Sequence, residues 1–219
     1  MEKSMYSLML SDSVVKAIDR LAGERGATRS GLVNHILAEY LQMKTPEMHI
    51  REIFSLMTEQ LGSLAGFLVQ SRPSDVTLAI RSPLDYKYRP TIKYSVEMYR
   101  AAGEAIGELR VVFRTQHSAL LSRLAQFFDL WIGMETYYIH KLIKNASIRY
   151  TVEEGRFKRT LMQPVTEEAV TNDLLSRAIG GYVEMFDSIL KQYLSDPLAD
   201  AGAVERRYVA CLQSGMIII

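Results

Sequence analysis

The chain has 219 residues, of which 48% are hydrophobic and 23% charged, with a formal net charge of +1. That length suits one large or two modest domains, and the composition excludes a disordered chain. The near-zero charge excludes a general electrostatic pull toward nucleic acid or membrane, so any basic surface must be local.

Residues 5–10 alternate with a period of two, Tyr6, Leu8 and Leu10 against Met5, Ser7 and Met9, which predicts a strand. So short a strand with no hairpin partner leaves its backbone groups unpaired, and a second copy pairing antiparallel across a two-fold axis is the economical remedy. Ser11, Asp12 and Ser13 open a helical pattern through Val14, Ile18 and Leu21, and Gly26 stops it. Thr28, Arg29 and Ser30 open a second helix carrying Leu32, Val33, Ile36, Leu37, Tyr40 and Leu41.

Lys44, Thr45 and Pro46 close this module, and a connecting amphipathic helix is predicted over 46–70 through Ile50, Ile53, Phe54, Met57, Leu61, Leu64 and Phe67, weakened by Gly62 and Gly66. Beyond a turn at 71–74 the period becomes two. Strands are predicted over 76–80, 91–100 and 106–114, the last two joined by a hairpin turn at 101–104. Ser118 caps a long apolar helix to about residue 143, whose Arg123, Asp129 and Glu135 mark it as a buried helix and not a membrane span. Residues 148–152 and 157–162 flank a second hairpin signal at Glu154-Gly155. Thr166 is expected to cap a further helix reaching Leu194, with a kink or break at Gly180-Gly181, and a short helix follows over 203–213. Met216, Ile217, Ile218 and Ile219 would be sticky if exposed, so they are expected to dock on the core or across a dimer interface. The fold class is α+β, divided into a module at 1–44, a connecting helix at 45–70 and a larger antiparallel-sheet and helix domain at 71–219.

The order and lengths of the first elements, with the Gly26-Ala27-Thr28-Arg29-Ser30 junction, resemble the ribbon-helix-helix DNA-binding family of MetJ, Arc and CopG-like repressors. The resemblance covers about the first fifth of the chain. It implies a homodimer or higher homo-oligomer on double-stranded DNA, with paired strands in the major groove, which admits a two-stranded ribbon. It further implies that Tyr6, Leu8 and Leu10 face the dimer core, that Lys3, Met5, Ser7 and Met9 face the groove, and that Thr28, Arg29 and Ser30 bind a phosphate at the second helix's N-terminus. The chain departs from the family in its reading face, which offers two methionines and one serine, and in Gly31, which stands where a capping glutamate is typical. Methionine can only pack and serine discriminates poorly, which shifts weight to DNA shape, cooperative assembly or the second domain. Charge adds little: Lys3, Lys16, Arg20, Arg25, Arg29 and Lys44 face Glu2, Asp12, Asp19, Glu24 and Glu39.

No chemistry-bearing motif competes. His35, His49, His117 and His140 have no close metal-ligand spacing, and there is no nucleophile elbow, phosphate-binding glycine loop or dinucleotide fingerprint, so neither cofactor, metal nor enzyme activity is expected. Cys211 reads as an inert thiol, alone and so without an intrachain disulfide. With no secretory leader pattern, the expected location is cytoplasmic and the membrane is not a partner. The segment 81–90, with Tyr86, Lys87, Tyr88 and Arg89 between two prolines, is either an anion clamp or a rigid loop over a sheet edge. Trp131, Tyr137 and Tyr138 line either a ligand pocket or core. The expectation is a transcriptional regulator, a repressor by promoter occlusion in its simplest form, whose second domain assembles it or answers a small-molecule or protein effector. The alternatives are a dimeric interaction factor (antitoxin, partition or scaffold protein) and an enzyme with a site assembled from distant residues.

Overall fold

The structure, a computed structural model, describes residues 5, 7–41, 43–71, 76–86, 90–101, 103–140, 142–143, 148–196 and 198–219. Among them are six helices and one six-stranded antiparallel sheet, an α+β fold: α1 Asp12–Arg25, α2 Arg29–Tyr40, α3 Pro46–Gly62, β1 Leu68–Ser71, β2 Thr77–Pro83, β3 Thr91–Met98, β4 Ala105–Phe113, α4 Ser118–Tyr138, β5 Tyr150–Glu153, β6 Arg156–Met162, α5 Asn172–Ser195 and α6 Ala201–Gln213. None of the described helices is long and apolar enough to cross a membrane.

The sheet order is β1-β2-β3-β4-β6-β5. Alternation decides its two faces. Ile92, Tyr94, Val96 and Met98 of β3, Leu109, Val111 and Phe113 of β4, and Phe157 and Leu161 of β6 are buried on one face. There they meet Phe127, Phe128 and Trp131 of α4 and Phe186 of α5; Phe128 and Phe186 both stack on Phe157, at 5.1 and 5.4 Å. α3 joins the same core through Ile50, Ile53, Phe54, Met57 and Leu61. Among the described residues the continuous core begins at Ile50, so α1 and α2 bury Ala22, Leu32 and Ala38 outside it.

Several expectations shift at this level. Residues 5 and 7–10 form no strand in a single copy and pair with none of the six strands, as a lone strand without a ladder partner must. The connecting helix stops at Gly62, and Leu68–Ser71 becomes the edge strand β1, paired with β2. Gly66, at φ +99, lies in the turn between them, a conformation helices do not continue through. α4 is capped by His117, whose Nδ1 accepts from Leu120 N, and ends at Tyr138, short of residue 143. α5 starts five residues later than expected because Thr171, not Thr166, caps it, accepting from Leu174 N at 3.1 Å. It runs unbroken through Gly180 and Gly181. The docking of the last residues is seen: Val165 N donates to Ile218 O at 2.9 Å, and Ile219 is buried.

Candidate nucleic-acid interface

The candidate interface is built from the α1–α2 pair. α1 ends at Gly26, φ 61, whose left-handed turn lets Ala27 N reach back to Ala22 O at 2.9 Å. This turn brings the α2 N-terminus beside α1. Thr28 is extended and caps α2, its Oγ1 accepting from Gly31 N at 3.1 Å. The first amides of a helix have no acceptor within it and lie at the positive end of its dipole, the arrangement an anion uses. Ser30 is exposed one residue further on.

Arg29 sits at that terminus but is engaged. Its Nε and Nη2 donate to the two carboxylate oxygens of Asp19 on α1, at 2.5 and 2.6 Å. Hydrogen bonding and charge from Arg29 hold the Asp19 carboxyl below the usual carboxylate range. Sequence spacing missed this partnership because the two residues lie on different helices. A phosphate at Thr28 must either share the outward edge of this guanidinium or displace Asp19 from it.

Of the other expected groove residues, Met5, Ser7 and Met9 are exposed, and Lys3 lies outside the described residues. Of the side chains assigned to the dimer core, Tyr6 lies outside the described residues, while Leu8 is 63% and Leu10 44% exposed, and on the helices Val14, Ile36, Leu37 and Tyr40 are exposed as well.

The remaining sequence candidates resolve separately. Lys87, Tyr88 and Arg89 lie outside the described residues, while Tyr86 meets the His117 ring edge-on at 6.1 Å. Trp131 is core, donating from Nε1 to Tyr182 Oη at 2.8 Å, whereas Tyr137 is exposed and Tyr138 donates to Glu205. Among the described residues no group of His, Cys, Asp and Glu could hold a metal ion. Burial, with the nearby Glu184 charge, pushes the Cys211 thiol up, away from thiolate.

Two buried polar networks were not anticipated. Arg159, on an inward position of β6 between Phe157 and Leu161, donates from Nε to Glu135 Oε2 at 2.9 Å and from Nη2 to Ile219 O at 2.5 Å, and lies over the Tyr182 ring. Burial lowers the guanidinium's pKa, but Glu135 outweighs it and keeps Arg159 cationic. In the second network Tyr94 Oη and Lys191 Nζ hold the two oxygens of Asp187, and Lys191 also reaches Ser82 Oγ at 2.5 Å. The signal for the first was legible: a charge on the apolar register of a strand and another on the apolar stripe of a helix.

Comparison of the chain with family models, curated proteins and solved structures returns no match.

Proposed function

We propose that this protein is a sequence-specific DNA-binding transcriptional regulator, acting as a homodimer or higher oligomer through an intersubunit β-ribbon laid in the major groove. The observation that carries the reading is the state of residues 5 and 7–10. They precede a helix pair of the right order, pair with none of the six strands described, and leave Leu8 and Leu10 exposed. A second copy in antiparallel register would pair their backbone and cover those side chains together with Ile36, Leu37 and Tyr40. Met5, Ser7 and Met9 would then face base edges, and the Thr28 cap with Arg29 and Ser30 would set the phosphate register. The body from α3 onward would assemble the regulator or receive an effector.

The test is a salt series of DNA titrations with the protein's own upstream region and a scrambled competitor, alongside Arg29→Ala. Competitor-resistant binding with a salt slope that flattens in the variant supports the reading. Binding no tighter than to scrambled sequence, together with a monomer by light scattering, overturns it. A dimeric protein-interaction factor is the second reading, and the bidentate Arg29–Asp19 pair favours it, because that pair neutralises the cation at the α2 N-terminus.

A further inference from the structure

The helices α3, α4 and α5 contribute their buried side chains to one face of the sheet. The outward positions of the other face carry a patterned charge. In register across β2, β3, β4, β6 and β5 stand Arg81, Lys93, Val112, Arg156 and Glu153. The next row on this face is Ala79, Ser95, Arg110, Lys158 and Thr151, and the one after begins Thr77, Glu97, Glu108 and Thr160, Ala79 and Glu108 being buried by their neighbours. Arg114 follows β4 by one residue on the Lys93 side of this pattern and is exposed.

The carboxylates are not spread evenly. Glu97 and Glu108 share the third row, where Arg110 pairs with both and Lys158 with Glu108 at 2.9 Å. Glu153 stands at the far edge, 3.4 Å from Arg156. The opposite end of the face from Glu97 and Glu108 is a band of positive charge, made by Arg81, Lys93, Arg114 and Arg156. At the usual strand separation of about 4.8 Å, it runs roughly 15 Å across four strands. A chain of net charge +1 has therefore placed a local cationic stripe on rigid strand positions.

We infer that this stripe is a second docking surface for duplex DNA, holding the sugar-phosphate backbone without reading sequence. The shape and chemistry select that occupant. The stripe runs across four neighbouring strands, and its length meets more than one phosphate. None of the outward strand positions named above is aromatic, and Tyr99, which follows β3 and donates to Glu108, stands at the carboxylate end of the face, so the stripe's own row offers unpaired bases nothing to stack on. Arginine and lysine on strands offer charge and donors to phosphate oxygens and nothing that distinguishes base pairs. The inference rests on DNA being the partner, but not on operator preference residing in residues 5–10.

The experiment uses the full chain and a triple variant, Arg81→Ser, Lys93→Ser and Arg156→Ser, with Arg29→Ala alongside. Anisotropy titrations over a salt series use three probes: a duplex of the upstream region, a scrambled duplex and a single-stranded oligothymidine. Arg81 and Arg156 are exposed and Lys93 is half-buried, and circular dichroism checks that the fold is kept. The expected result is a salt slope lowered by about 2 to 3 on both duplexes, because each cation removed leaves one phosphate fewer neutralised, with the preference between duplexes unchanged. An unchanged slope in the triple variant overturns the inference even if Arg29→Ala flattens it on the operator duplex, which leaves the regulator reading intact. A lowered slope with no preference between duplexes keeps the stripe and removes the operator reading. A slope change confined to the oligothymidine assigns the face to single strands and overturns the proposal, and no binding to any duplex overturns both.

Discussion

Replacing Glu135 by leucine tests how the core is held together. Glu135 and Arg159 are both fully buried and joined at 2.9 Å, between α4 and β6. In Glu135→Leu the guanidinium keeps its charge in an interior of aromatic rings, with Tyr182 on its face and the backbone oxygens of Thr160 and Ile219 still accepting from it. Removing one partner of such a pair costs about 3–5 kcal/mol. At roughly 2–4 °C of melting temperature per kcal/mol for a chain of this size, the variant should melt about 6–20 °C lower. Glu135→Leu with Arg159→Met removes both charges and should recover most of the loss, because desolvating two ions consumes much of what their attraction returns. The assay is thermal and urea unfolding followed by the fluorescence of Trp131, the chain's single tryptophan, whose ring packs against Tyr182 and Tyr208 in the same cluster. A single variant within about 1 kcal/mol of the parent would refute the reasoning, as would a double variant less stable than either single one.

Further expectations follow from local geometry. Thr28→Ala removes the α2 cap and should cost about 1 kcal/mol, while Thr28→Ser keeps most of it; chemical denaturation of the two variants compares them. Gly107 sits where β4 lies against the Glu97 carbonyl of β3, so the Cβ of Gly107→Ala would collide with backbone; a loss of about 1–3 kcal/mol in the same assay is expected, and a neutral result would show that the two strands can part. Burial raises the pKa of Glu108, but hydrogen bonds and charge from Lys158 and Arg110 outweigh that and leave it below the ordinary glutamate value. Its folded-state pKa is depressed, so its stabilising contribution is complete above the unfolded value of about 4.3 and fades as pH falls through the folded one. Melting temperature against pH should therefore drop less steeply on the acid side in Glu108→Gln than in the parent.

What the sequence could reveal by local pattern was the periodicity of its elements. β3, β4 and β6 were legible because each has one wet and one buried face, and α1 and α2 because Gly26 and Thr28 are local punctuation. β1 was not, since Leu68–Ser71 has strand character only through its pairing with β2, and its four residues are too few to show a period against the helix before them. The α5 start was misplaced because Thr166 and Thr171 are equally good caps by type, and only the packing of Leu174 and Ala178 into the core selects the second.

The same division holds for the candidate sites. Sequence alone determined that Thr28 could cap a helix, because a cap is a matter of a few adjacent residues. Tertiary structure decided that Arg29 is held by Asp19, that Arg159 meets Glu135, and that Arg81, Lys93 and Arg156 fall into one register row. Each of these joins residues on different elements, and the distance between them depends on how helices and strands pack, which no window of neighbouring residues contains.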